Sequence, residues 1–145
     1  MEKSYLAGTW EKQRAFSPAV VVKGGTMIFV AGHGGQVDDN GKSLAGDFDA
    51  QTRQTFRNLE ATLKRAGASL RDLVTMTVFI TDSRYGKQFT DIRLELFKDD
   101  FPASALITCD GLARPDMLVE VDRKSTRLNS VTVNNLVCRL LLEKK

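Results

Sequence analysis

Cysteine, histidine and long apolar runs are all scarce in this sequence, and each shortage removes a class of protein. The two cysteines, Cys109 and Cys138, lie far apart with no metal-ligand spacing around either, so there is no disulfide framework or zinc site to build. Each reads instead as a small buried hydrophobe. His33 is the only histidine. No apolar stretch reaches the roughly 18 residues that span a bilayer, and MEKSYLAGTWEKQRAF lacks the apolar centre of a signal peptide. The expectation is a cytoplasmic chain with no membrane partner.

A basic stripe is also missing, although the formal charge is +3. Of 21 basic and 18 acidic residues, residues 123–145 hold six and one, which leaves fifteen and seventeen for residues 1–122. The body is therefore mildly acidic, at −2, and the basic character lies wholly in the tail. Without a clustered basic face there is no electrostatic footprint for a polyanion, so no nucleic-acid partner is expected.

What is present suits one globular domain, with 42% hydrophobic and 27% charged residues over 145 positions. Ala19–Val22 and Met27–Ala31 are short apolar runs about KGGT and predict a β-hairpin. QVDDNGKSLAGD, dense in Asp, Asn and Gly, reads as a loop. DFDAQTRQTFRNLEATLKRAG predicts a helix, with Asp47 or Asp49 capping its start and Gly67 ending it. Phe56, Leu59, Leu63 and Ala66 form its apolar stripe, while Glu60 and Lys64 pair on another face. VTMTVFIT (74–81) alternates as a strand with Val74, Met76, Val78 and Ile80 on one side. YGKQFTDIRLELF (85–97) predicts a second helix with Phe89, Ile92 and Leu96 inward, followed by strands at Ala103–Thr108 and Met117–Val121.

The order ββαβαββ implies an α+β fold, a mixed sheet with two helices on one face. Its other face still carries apolar residues, and self-association is the simplest way to cover them.

SPAVVVKGGTMIFVAGH, DFDAQTRQTFRNLEATLKRAGASLRDLVTMTVFITD and FPASALITCDGLARPDMLVEV together resemble the RidA (YjgF) family of enamine/imine deaminases, over about residues 15–121. The resemblance implies a chorismate-mutase-like fold, a barrel-like homotrimer and small-molecule clefts between subunits. It implies no cofactor and no metal. It carries Glu120 over as the group that positions the hydrolytic water, and Gly32 as a backbone contact beside the ligand. Three other matching positions have changed. The arginine that grips the substrate carboxylate is Ser104 here, a tyrosine is Phe16, and an asparagine on the second helix falls on Thr90. The glutamine that usually follows the glycine is His33.

A guanidinium can hold a carboxylate with two parallel hydrogen bonds, whereas the Ser104 hydroxyl offers one donor and no charge. The resemblance, with that arginine missing, therefore implies a hydrolase or deaminase for a small imine, enamine or related carbonyl compound without an α-carboxylate. Glu120 would be its catalytic residue, and Ser104, Gly32, His33, Phe16 and Thr90 would line the ligand. A Ser104–His33–Glu120 arrangement could supply nucleophile, base and orienter, and Arg114 could replace the missing clamp. A non-catalytic trimer that binds a small metabolite is the alternative. Ribonuclease activity, described for some relatives, fits poorly with an acidic body.

From about residue 122 the text changes character. RKSTRLNS (123–130) and LVCRLLLEK (136–144) resemble, in order, two pieces of a translated short-read sequencing adapter. The expected organisation is a single domain over residues 1–121 and a non-native tail over 122–145.

Overall fold

The structure is a computed structural model and describes residues 1–127. Cys138, the apolar run 136–142 and the tail beyond Arg127 lie outside the described residues.

A four-stranded mixed sheet forms the centre. Strand β3 (Thr26–His33) pairs antiparallel with β6 (Val119–Arg127), β6 pairs antiparallel with β4 (Leu73–Ile80), and β4 runs parallel to β5 (Ala103–Thr108). Parallel neighbours need a crossover, and α3 (Tyr85–Phe97) supplies it. The longer α2 (Phe48–Arg65) starts where the Asp47 carboxylate accepts the Ala50 N–H at 2.9 Å. Past its end, Gly67 takes a left-handed φ of 70°.

Both helices cover one face of this sheet. Phe56, Leu59 and Leu63 from α2 and Phe89 and Phe97 from α3 enclose Met76, Val78 and Ile80 of β4 and Val119 and Val121 of β6, all buried. Ala66, at the helix cap, is only half-buried, as is Leu96, whose inward place goes to Phe97. Val74 also differs from its expected inward position. The register between β4 and β6 slips between Leu73 and Thr75, and the slip turns Leu73 into the core instead.

The first half of α2 buries the polar side chains of Gln51, Thr52, Gln54 and Thr55 between Phe48 and Phe56. Gln51 donates to the carbonyls of Leu44 at 3.1 Å and Asp116 at 2.7 Å, and its Oε1 accepts the Leu118 N–H at 2.9 Å. One amide thus ties the loop before α2 to the entrance of β6 and fixes where Glu120 emerges.

Ahead of the expected elements lie strand β1 (Glu2–Leu6) and a five-residue helix, α1 (Thr9–Gln13). They change the pairing of β2 (Ala19–Lys23), which joins β1 in a separate two-stranded sheet. The Gly24–Gly25 turn exists, with φ of 73° and 89°, but the strands on either side of it belong to different sheets and do not form the expected hairpin.

The sheet face away from the helices is open in the single chain. Phe29 is 71% exposed and Met27 58%. An apolar surface of that kind is a contact surface in most folds.

Candidate functional site

The candidate residues divide into two groups on opposite faces of the sheet. The first forms at the end of β3. Between Val30 and His33 the register of β3 against β6 shifts, a bulge that lifts Gly32 out of the regular ladder. Glu120, paired across the sheet with Phe79, extends over Gly32. Its carboxylate occupies the space a Cβ would need there, with Cδ 3.1 Å from that Cβ position. Only glycine allows this approach. Val119 and Val121 point into the core, so Glu120 between them points to the open face, half-buried. Among the described residues it has no hydrogen-bond or ion-pair partner, which leaves the carboxylate oxygens available to a water or a ligand.

His33 does not join this pair. Its Nδ1 lies 2.8 Å from the Ala31 carbonyl and its Nε2 2.8 Å from Thr62 Oγ1 on α2. The Ala31 carbonyl can only accept, so Nδ1 donates to it, while the single proton of the Thr62 hydroxyl is shared between Nε2 and the Asn58 carbonyl, 3.1 Å away. The histidine is a strut between the bulge and α2.

The second group surrounds a cavity of about 270 Å³ lined by Trp10, Arg14, Phe16, Thr90, Arg93, Ser104 and Leu106. Ser104 faces the helices because its register partner on β4 is the inward Met76. Phe16 is held nearby by a bridge between Ser17 and Ala103 and by an edge-on contact with Trp10, 5.8 Å between ring centres. Thr90 sits on α3, its hydroxyl donating to the Gly86 carbonyl at 3.0 Å.

The three-residue arrangement of Ser104, His33 and Glu120 is not formed. Ser104 is on β5 and His33 on β3, the two edges of the sheet, roughly 14 Å apart at the usual strand spacing. Arg114 does not replace the clamp either, since it pairs with Asp116 at 2.8 Å on the surface.

Position 104 is nevertheless not left without a cation. Arg93 reaches across from α3, donating from Nη1 to Ser104 Oγ at 2.6 Å and from Nη2 to the Arg14 carbonyl at 2.8 Å. Ala15, fully buried and with a left-handed φ of 58°, turns the chain that presents this carbonyl. Arg93 is 4% exposed, and its Nε has no acceptor. Burial pushes its pKa down to about 10. The side chain stacks near Phe89, with 5.4 Å from Cζ to the ring centre. Among the described residues it has no acidic partner. The cavity therefore contains a guanidinium that the sequence reading did not place there. A charge one position beyond Ile92, inside the apolar stripe of α3, was the signal in the sequence. Trp10 and Arg14, on the unanticipated α1 and just after it, carried no comparable signal.

Residues 10–125 match the endoribonuclease L-PSP family. The chain belongs to this family, the RidA (YjgF) family of the resemblance. A RutC family protein of Pyrococcus abyssi is 33% identical over 101 residues, covering 70% of this chain and 79% of that protein, and one from Pyrococcus horikoshii is 31% identical over the same shares. Among solved structures, the Rid family protein YyfB of Yersinia pestis superposes with a TM-score of 0.77 at 23% identity, over 88% of this chain and 100% of that one. A YjgF/YER057c/UK114 family member from Mycobacterium tuberculosis gives 0.61 at 26% identity, over 87% and 100%. The RidA fold is thus shared along the chain, including the strand that presents Glu120. The matched region runs past the join at Asp122 as far as Ser125, and β6 also continues through it to Arg127.

Among the described residues no group of three or more His, Cys, Asp or Glu is gathered to hold a metal, and no helix is long and apolar enough to cross a membrane.

Proposed function

We propose that this RidA family chain is a hydrolase for a small imine, or an enamine through its imine tautomer, with the site completed between copies of the chain in a homotrimer. The observation that supports it best is the Glu120 carboxylate, unpartnered and seated on bare Gly32 at a bulge facing the open side of the sheet.

The chemistry needs few groups. The oxygen of a water bonds to the imine carbon as one of its protons passes to the nitrogen. The resulting carbinolamine loses ammonia as its C–N bond breaks and the carbonyl forms. Glu120 holds the water by accepting one of its hydrogens and serves as the local proton acceptor. The backbone at Gly32 borders the reacting carbon. The Phe16–Thr90–Ser104 cavity, on the other face, cannot meet Glu120 within one chain, which is why a second copy is required. Covering Phe29 and Met27 supplies a driving force for that association.

The cavity volume of about 270 Å³ suits a small molecule and, with the acidic body, disfavours a nucleic-acid substrate. The test is ammonia release from a panel of small imines by Glu120→Gln and Glu120→Ala. Loss of a catalytic base is expected to lower kcat by roughly 100-fold or more without loss of ligand binding. If turnover is undetectable in the parent and Glu120→Ala merely weakens binding, the chain is a metabolite-binding trimer instead.

A further inference from the structure

We propose that Arg93 is the anion-binding residue of the cavity, so that its ligand carries a carboxylate or an equivalent small anionic group next to the reacting carbon. The inference rests on the hydrolase reading for the identity of the reacting carbon but stands as a binding site without it.

Four observations carry it. Arg93 is a guanidinium in a cavity wall, 4% exposed, with no carboxylate to neutralise it among the described residues. A buried cation without a counter-ion is costly to fold around, and an arriving anion relieves that cost. Its position is fixed rather than incidental, since Ser104 Oγ and the Arg14 carbonyl each accept one N–H. Those two contacts use two of five donors; Nε has no acceptor and is itself closed off from solvent, which leaves the second hydrogens of Nη1 and Nη2 for a ligand. The residues around it select the same kind of ligand. Arg14 adds a second guanidinium at the rim, held 4.7 Å above the Trp10 ring, and no acidic residue lines the cavity. Trp10, Phe16 and Leu106 give an apolar wall for a short carbon chain.

Ser104 acquires a role in this arrangement. It is a positioning residue: a serine at this place on β5 leaves room for a guanidinium entering from α3 and holds it with a hydroxyl. The cation and its anchor come from different elements, so the ligand's charged end should lie closer to α3 than a β5 arginine would place it.

A purely structural Arg93, bracing α3 against β5 and the α1–β2 turn, makes a different prediction, because it would not distinguish an acid from its amide. The probes are 2-oxopentanoate and its uncharged amide, titrated into the full chain at pH 7.5. The acid is expected to bind at least roughly tenfold tighter, the effect of a charge-assisted hydrogen bond. Arg93→Gln should erase the difference and Arg93→Lys keep part of it. Equal binding of acid and amide by the parent, or an undiminished acid preference in Arg93→Gln, overturns the proposal. Should Arg93→Gln not fold, the Arg93 Nε–Hε resonance of the parent decides: it must move with the acid and stay with the amide, and a stationary signal overturns the proposal. Ammonia release from the matching 2-imino acid separates the two readings. Acid preference without release supports the anion site and removes the hydrolase, and release without acid preference does the reverse.

Discussion

Replacing Arg123 by methionine is expected to raise the melting temperature by roughly 10 °C. The side chain lies just past the join in β6, opposite Val30 of β3 and Met76 of β4. All three residues are buried, Arg123 at 4% exposure. Its Nη2 donates to the Val121 carbonyl, but Nε and Nη1 have no acceptor. Burial lowers its pKa to about 10, and the neighbouring Asp122 carboxylate opposes that shift only in part. Each tenfold loss of proton affinity corresponds to about 1.4 kcal/mol, so keeping the charge in this position costs on the order of 3 kcal/mol at neutral pH. Methionine keeps the length and removes both the charge and the unpaired donors. The sign with pH is fixed as well. A base whose folded pKa is depressed binds fewer protons folded than unfolded, so the parent gains stability as pH rises through about 10 and beyond, and the advantage of methionine shrinks there. Thermal unfolding followed by circular dichroism at pH 7 and pH 10.5 measures both effects. Arg114→Met, the same change at an exposed pair with Asp116, should move stability by less than about 0.5 kcal/mol. An Arg123→Met protein that melts at or below the parent, with Arg114→Met unchanged, would show that the buried charge is satisfied and the reasoning wrong.

Other substitutions probe the site and its supports. At Gly35 a Cβ would meet the Gln51 carbonyl at 2.5 Å and the Thr55 nitrogen at 2.6 Å, both backbone atoms of α2, so Gly35→Ala should cost about 2–3 kcal/mol in urea unfolding. Gly32→Ala meets only the movable Glu120 side chain, so it should leave stability nearly unchanged while cutting imine turnover by roughly tenfold or more as the carboxylate is displaced. Gln51→Leu strands the Leu118 N–H and the Asp116 carbonyl, while the Leu44 carbonyl keeps the Asp47 N–H, and should destabilise by about 2–4 kcal/mol, read from the same unfolding curves. Phe29→Asp places a charge on the open sheet face and should shift the chain to a smaller species in light scattering after gel filtration.

The helices and β4 were legible because their apolar residues recur at the period of their own backbone. Phe56, Leu59 and Leu63 on α2, and Met76, Val78 and Ile80 on β4, are buried as that period requires. Local signals failed where partner choice decides structure. MEKSYL carries too little apolar alternation to announce a strand, yet it pairs with β2 residue for residue. Once it does, the apolar run after the Gly-Gly turn is free to pair with β6. A turn motif fixes a change of direction but not which strands become neighbours. The candidate site shows the same division. The resemblance named Glu120 and Gly32, which lie together, and Phe16, Thr90 and Ser104, which line one cavity, positions that the course of the backbone sets. It could not place His33 against Thr62 or bring Arg93 to Ser104, since those contacts depend on which side chains of α2 and α3 face the sheet.

Arg93 and Arg123 test how a buried arginine should be read. Both are 4% exposed, both have a pKa lowered to about 10 by burial, and both leave donors unpaired. Burial and pKa alone therefore cannot separate a binding residue from an accident of sequence. Their surroundings do. Arg93 is gripped by a side-chain hydroxyl and a carbonyl from two other parts of the chain, opens onto a cavity beside aromatic rings, and has a second guanidinium at the rim. Arg123 is bonded to a carbonyl two residues away in its own strand and faces Val30 and Met76 across the ladder. Arg123 also lines a pocket, of about 350 Å³, but Asp122 shares it and would repel an anion, so the first arrangement has a place for an anion and the second favours an apolar side chain. Opposite responses are expected: removing the Arg93 charge should change ligand preference, while removing the Arg123 charge should change stability.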